Sequence, residues 1–153
     1  MAEKLIAKST ITIEAPPSKV WQALVTPEEI RKYMFGSEVA SDWKEGSPIT
    51  WRGDWKGKPY EDKGVVLRFQ PGRQLRYTHY SPLSGLPDVP ESYHTVTIDL
   101  EPDGSSTKVS LAQDNNPTDE ARRHSEKNWS VMLAGLKNWV EGVSATRAGD
   151  LRA

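Results

Sequence analysis

The sequence predicts an α+β fold in which a long C-terminal helix packs against a curved antiparallel sheet. Three observations carry this prediction. Apolar residues near the end of the chain recur with helical periodicity, and several segments in the middle alternate with period 2 between turn dipeptides. The order of elements is one strand, two short helices, several strands and the long helix, which separates the helices from most of the strands. We expect about six or seven strands.

The chain begins with a predicted strand. Residues 5–14 are rich in β-branched side chains, and Ile11 and Ile13 alternate with polar residues, which is typical of a half-buried strand. The prolines that follow cannot continue a ladder of hydrogen bonds, but they suit a first helical turn. A short helix is therefore predicted from about Ser18 to Val25.

A second short helix is indicated by the sequence that begins at Thr26. Thr26 is placed to cap the helix, Pro27 occupies the first helical position, and Glu29 completes a capping box. The helix is expected to end near Tyr33, before Gly36.

The middle of the chain is predicted to form strands joined by tight turns. Pro71-Gly72 and Asp103-Gly104 are turn dipeptides, and each is flanked by two segments of strand character, so each predicts a hairpin. Residues 82–92 contain several prolines and read as an irregular loop. The predicted strands are Ile49–Trp55, Val65–Gln70, Leu75–Ser81, Thr95–Glu101 and Thr107–Gln113.

The last predicted element is a long amphipathic helix. Asn116 is expected to cap it, Pro117 to lie in its first turn, and Gly142 to mark its end. At about 100° per residue, one face is apolar or small and should point towards the sheet. That face contains Ser125, Trp129, Met132, Leu133, Leu136 and Val140.

Composition limits the class of protein. A chain of 153 residues predicts a single domain over 1–153, with an ordered core of about 5–143. Lys and Arg number 20 and Asp and Glu 21, interleaved along the chain, so no field of one sign favours nucleic acid or a membrane surface. The absence of cysteine excludes disulfides and thiolate metal sites. With no apolar run of membrane-spanning length, we expect a cytoplasmic protein.

These segments resemble the START-like superfamily and, within it, the family named after the activator of the heat-shock protein 90 ATPase. The likeness covers about residues 5–143. It is carried by Ala15-Pro16-Pro17-Ser18-Lys19-Val20-Trp21-Gln22-Ala23-Leu24, Thr26-Pro27-Glu28-Glu29-Ile30, Gly64-Val65-Val66, Pro71-Gly72-Arg73-Gln74-Leu75, Val96-Thr97-Ile98-Asp99-Leu100, Gly104-Ser105-Ser106-Thr107-Lys108-Val109, and Trp129 with Leu133 and Leu136-Lys137.

The resemblance implies a helix-grip fold and leaves three functions open. One is a small-molecule-binding domain that holds an apolar or aromatic ligand between sheet and helix. Another is an enzyme related to polyketide cyclases and hydratases, and the third is an interaction module for a chaperone. The family shares no catalytic motif that can be carried over. We favour the binding domain, as a monomer or weak homodimer without a cofactor.

The pocket between helix and sheet is the candidate ligand-binding site. Because side chains alternate along a strand, Tyr77 and His79 are expected to point inward together with Leu75, and His94 together with Val96. Each His is either a polar anchor or general acid–base for a ligand, or a core residue with a satisfied hydrogen bond. Without a clear third ligand they do not predict a metal site. The predicted lining is Tyr33, Met34, Trp51, Tyr77, His79, His94, Trp129, Met132, Leu133 and Leu136.

The glycines give no sign of a nucleotide site. Gly57, Gly64, Gly72 and Gly85 are assigned to separate loops, which together do not compose a phosphate-binding cradle.

Overall fold

The computed structural model describes residues 5–34, 36–55, 57–82 and 85–149. Within these ranges the elements are, in chain order, β1 (Leu5–Ile13), α1 (Pro17–Val25), α2 (Pro27–Tyr33), β2 (Glu38–Ser41), β3 (Pro48–Trp55), β4 (Lys58–Gln70), β5 (Gln74–His79), β6 (His94–Asp103), β7 (Ser106–Asn116) and α3 (Asp119–Gly149). A 3-10 turn at Pro90–Ser92 lies in the loop between β5 and β6.

The strands form one antiparallel, curved sheet in the order β1-β7-β6-β5-β4-β3-β2. The first strand therefore crosses over to pair with the last, and β1 and β2 are the two edges. Helix α3 packs against β1 and β7 and also contacts α1 and α2. The structure thus confirms the α+β helix-grip fold. None of the helices described is long and apolar enough to cross a membrane.

The core lies between the inner face of the sheet and the helices. On β6 the alternating residues Val96, Ile98 and Leu100 are buried, as period 2 predicts for a sheet with one covered face. Helix α3 contributes its own buried stripe at helical spacing, which is Met132, Leu133, Leu136 and Val140.

Two strands differ from the sequence prediction. The edge strand β2 was not predicted, and β4 begins at Lys58 rather than at Val65. In residues 58–64 the side chains that line the cavity are Tyr60 and Asp62, and the charged residues that alternate with them are exposed. Apolar alternation therefore does not mark this segment as a strand. The assignment of Gly64 to a loop is therefore wrong. Gly64 lies within β4, where the carbonyl oxygen of Thr78 comes so close that a Cβ would stand 1.7 Å from it.

The capping box predicted at the start of α2 is absent. Thr26 does occupy the N-cap position and Pro27 the first turn, but the Thr26 side chain makes no capping hydrogen bond. The Glu29 carboxylate instead accepts a hydrogen bond from Trp139 Nε1 of α3, at 2.9 Å. Glu29 thus binds Trp139 instead of the backbone at the start of its own helix, and this hydrogen bond links α2 to α3.

The start of α3 was also predicted wrongly. Asn116 is the buried last residue of β7, and its side chain donates to the carbonyl oxygens of Leu5 and Gln113. Thr118 provides the cap, since its Oγ1 accepts the backbone N–H of Ala121 at 3.0 Å. At its other end the helix continues past Gly142 to Gly149.

Candidate functional site

A cavity of about 200 Å³ lies between the inner face of the sheet and α3. An engineered apolar cavity of roughly 150 Å³ holds a benzene molecule, so this one has room for a substituted single ring. Strands β3 to β7, helix α3 and the segment after α2 all contribute to its wall. The lining residues are Met34, Ser37, Trp51, Tyr60, Asp62, Tyr77, His79, His94, Gln113 and Trp129.

One wall of this cavity is aromatic. Trp51 of β3 and Tyr77 of β5 pack against each other with ring centroids 5.2 Å apart. Burial raises the pKa of the Tyr77 hydroxyl, so the phenol stays neutral at physiological pH. Met34 and Trp129 complete this part of the lining. The wall therefore offers polarizable and π surfaces to an apolar or flat molecule.

The polar part of the lining adjoins this aromatic part, since the His79 and Trp51 rings lie 5.0 Å apart, and its centre is an Asp–His pair. His79 Nε2 lies 2.8 Å from Asp62 Oδ2, and the Asp62 side chain is only 15% exposed. An ionised carboxylate can only accept, so Nε2 donates, and the Nδ1 of a neutral imidazole is left as an acceptor. The other carboxylate oxygen, Asp62 Oδ1, is buried without a hydrogen-bond partner among the described residues.

His94 stands next to His79 but is held differently. The two residues are directly paired across β5 and β6, and their rings stack with centroids 6.5 Å apart. His94 Nδ1 lies 2.9 Å from the backbone oxygen of Asp114, to which it must donate because a carbonyl carries no proton. When the ring is neutral, Nε2 is therefore an acceptor. The hydrogen-bond acceptor of His79 is a carboxylate, whereas the acceptor of His94 is a backbone carbonyl.

Two further hydrogen bonds shape the polar wall. The Trp129 indole N–H donates to Gln113 Oε1, which leaves the Gln113 amide nitrogen as a donor. Ser37 Oγ and Tyr60 Oη lie 2.7 Å apart and share a hydrogen bond. The wall thus combines acceptors on the two histidines with donors on the amide and hydroxyl groups.

The remaining predicted lining residues lie deeper. A void of about 20 Å³, room for about one water molecule, is lined by Tyr33 and Met132 together with Met34, Trp51 and Tyr77. Leu133 and Leu136 are fully buried and line neither cavity. Side chains therefore fill most of the space beneath α3.

Tyr33 anchors the two short helices to each other at this depth. Its hydroxyl donates to the backbone oxygen of Ala23 at 2.8 Å. Burial is the main cause that raises its pKa well above the usual value, and the nearby Tyr77 and Glu29 add to the effect. The phenol therefore remains a neutral donor.

Among the described lining residues, four were not predicted: Ser37, Tyr60, Asp62 and Gln113. Three of them could have been found by extending period 2 along the strands. Counting back from the buried Val66 gives Asp62 and Tyr60 on the inner face of β4, and counting on from Leu111 gives Gln113 on β7. The prediction missed Asp62 and Tyr60 because it began that strand at Val65.

The site does not resemble a metal centre. No group of three or more His, Asp or Glu side chains in the described part of the chain is arranged to hold a metal ion.

The curved sheet, the long closing helix and the cavity between them define a START-like domain, a class whose fold suits ligand binding. The chain belongs to the family of activator of Hsp90 ATPase homolog 1-like proteins, whose model matches residues 14–141. No curated protein matches the chain significantly.

Solved structures agree with this assignment. The solution structure of ChR145 from Cytophaga hutchinsonii is 54% identical, with a TM-score of 0.83, over 95% of this chain and 99% of that one. The solution structure of the Aha1 dimer from Colwellia psychrerythraea is 23% identical, with a TM-score of 0.69, over 90% and 96%. Ara h 8.0201 is 13% identical, with a TM-score of 0.71, over 91% and 99%. The last two likenesses concern the fold alone.

Proposed function

We propose that this protein binds a small apolar or aromatic molecule in the cavity between the sheet and α3. The observation that supports the proposal is a space of about 200 Å³ beside Trp51, Tyr77 and Trp129, at the edge of the packed core. A concave site of this size with aromatic walls and a few converging polar groups is typical of ligand-binding pockets.

A fragment screen tests this proposal. Single-ring compounds are titrated into the protein. Thermal unfolding is followed by fluorescence, and the indole N–H signals of the tryptophans are followed by NMR. A ligand at 100 times its dissociation constant adds about 2.7 kcal/mol to the free energy of unfolding. If no single-ring compound shifts either signal, the proposal is wrong.

Matched variants of α3 locate the binding. Trp129→Ala removes a ring from the cavity wall and is expected to weaken binding roughly tenfold, as loss of an aromatic contact typically does. Val131→Ala, two residues further on the exposed side of the helix, is expected to leave the affinity unchanged. Equal affinity in both variants would place the ligand elsewhere.

A second candidate function is acid–base catalysis by His79. Its support is the Asp62 carboxylate, which lies 2.8 Å from His79 Nε2, orients the imidazole and leaves Nδ1 as the atom that can accept a proton. In such a step a C–H proton next to a ligand carbonyl moves to His79 Nδ1, and the electron pair moves to the carbonyl oxygen to give an enolate. Return of the proton restores the ketone.

Exchange of deuterium from D₂O into the methyl group of acetophenone, followed by NMR, tests this second candidate. We expect exchange in the wild type above the buffer rate, its loss in His79→Ala, and its retention in His124→Ala, whose side chain is exposed on α3. Exchange at the buffer rate in the wild type would reject His79 as a general base for such ketones.

Association with a chaperone is a third candidate, and its support is the family name rather than a feature of the site. Stimulation of the chaperone's ATPase rate by the purified protein is the expected result. A rate that the protein leaves unchanged, together with no co-purification, would reject it.

A further inference from the structure

The charge of the cavity wall bears on the kind of molecule it accepts. Of the ten described residues that line the cavity, none is Lys or Arg, and Asp62 is the carboxylate among them. We propose that the ligand is a small aromatic molecule with a protonated amine, held by the charge of Asp62 and by the surrounding rings. This inference rests on the proposed function, since it names the ligand class for the same cavity.

The Asp62 carboxylate lacks compensation. A buried carboxylate is usually surrounded by several donors or a cation, because burial without them is costly. Here one oxygen accepts from His79, and the other has no partner among the described residues. The negative charge is therefore under-compensated, and because the Asp62 side chain is largely buried, its attraction for a cation is stronger than in bulk water.

The aromatic rings favour the same kind of ligand. Trp51, Tyr77, Tyr60 and Trp129 all line the cavity. The face of an aromatic ring carries partial negative charge and attracts an ammonium group, by about 0.5–2 kcal/mol according to how dry the site is. An ammonium group near such rings and near Asp62 gains from both.

The ring nitrogens of the two histidines that remain unused are also suited to a ligand that donates hydrogen bonds. His79 Nε2 and His94 Nδ1 are both used as donors to protein oxygens, so the neutral rings are left with His79 Nδ1 and His94 Nε2 as acceptors. An ammonium group has three N–H donors and no acceptor. A carboxylate or phosphate, by contrast, would enter beside Asp62 and would find no Lys or Arg among the described lining residues to pair with.

Three single-ring compounds of similar size test the inference: benzylamine, benzyl alcohol and benzoate. Their dissociation constants are measured by NMR titration at neutral pH, where the amine is protonated and benzoate is ionised. We expect benzylamine to bind at least about fivefold more tightly than benzyl alcohol, and benzoate to bind most weakly.

A neutral isostere isolates the part played by Asp62. In Asp62→Asn, the preference for benzylamine over benzyl alcohol is expected to fall to the part that the aromatic rings supply. The control is Asp99→Asn, which removes a carboxylate that pairs with Gln74 outside the cavity and should keep the wild-type order. A preference for the amine that is undiminished in a folded Asp62→Asn would overturn the role of Asp62.

The outcomes separate this inference from the proposed function. If benzyl alcohol or benzoate binds as tightly as benzylamine, or more tightly, the amine inference fails while the binding function stands. If none of the three binds, nor any compound of the fragment screen, the binding function itself fails. Should Asp62→Asn not fold, the order of affinities in the wild type still decides.

Discussion

The carboxylate of Glu141 on α3 accepts a hydrogen bond from the backbone N–H of Glu14 at 2.8 Å, although the two residues are 127 positions apart. Two further side chains of the same helix also bind backbone groups of the first strand. Glu126 accepts the backbone N–H of Lys8 at 3.0 Å, and Lys137 Nζ donates to the backbone oxygen of Thr12 at 2.9 Å. The polar side of α3 thus covers backbone groups of β1, an edge strand that would otherwise offer them to another chain.

These contacts predict a specific loss of stability in acid. The backbone N–H of Lys8 is the main cause that lowers the pKa of Glu126. For Glu141, partial burial raises the pKa, but the hydrogen bonds from Lys137 and from the backbone of Glu14 outweigh it, so the pKa is lowered. A lowered folded-state pKa stabilises the fold above the usual glutamate pKa of about 4.3, and this is lost as the pH falls towards the folded value.

Glu141→Gln tests this relationship. We expect a loss of roughly 1 kcal/mol in the free energy of unfolding at pH 7, and a smaller difference from the wild type at pH 3.5, measured by urea denaturation. Glu101→Gln, on the exposed part of β6, is the control and should change little at either pH. A difference from the wild type that is the same at both pH values would show that the charge of Glu141 is not what matters.

Trp129→Phe removes the indole N–H that satisfies the buried Gln113 side chain. The ring is retained, but Gln113 Oε1 is left unpaired, so we expect a loss of about 1–2 kcal/mol in the free energy of unfolding. Trp139→Phe is the matched control. It breaks the bond to Glu29, which is only partly buried and can bind water instead, so its cost should be smaller. Equal costs would contradict the role given to Gln113.

Gly64→Ala is expected to destabilise the sheet, by about 3 kcal/mol if the strands can shift and more if they cannot. The reason is the contact between β4 and β5, where a Cβ at residue 64 would overlap the carbonyl oxygen of Thr78. In Gly142→Ala, by contrast, the new Cβ on α3 meets no atom within 4 Å, and helix propensity should stabilise the protein by up to about 1 kcal/mol. Thermal unfolding of both variants compares them, and a stable Gly64→Ala would show that the two strands are not so close in solution.

Leu133→Ala should act on stability rather than on ligand binding. Leu133 is fully buried and lines neither cavity, so truncation is expected to cost about 2–5 kcal/mol while the affinity of the folded fraction stays unchanged. Val131→Ala, at an exposed position of the same helix, should cost much less. Weaker ligand binding by folded Leu133→Ala would return Leu133 to the binding site, as the sequence predicts.

The sequence determined the class of fold, because the periods of apolar residues depend only on local geometry. Period 2 at Val96, Ile98 and Leu100 marks the inner face of a strand, and helical spacing at Met132, Leu133 and Leu136 marks the face of α3 that is buried. Both patterns could be read without knowing any long-range contact. The same reasoning also placed Tyr77 and His79 on one face of β5, and they line one cavity.

Only the tertiary structure decided the partners of the polar side chains. Asp62 meets His79, Gln113 meets Trp129, and Glu29 meets Trp139 rather than its own helix end, in each case across a large separation in the chain. Strand register and the placement of α3 set these distances, and a polar residue accepts whichever donor they bring near. For that physical reason, the sequence predicted which faces are buried, whereas the polar wall of the cavity and the cover over β1 became visible only in the folded chain.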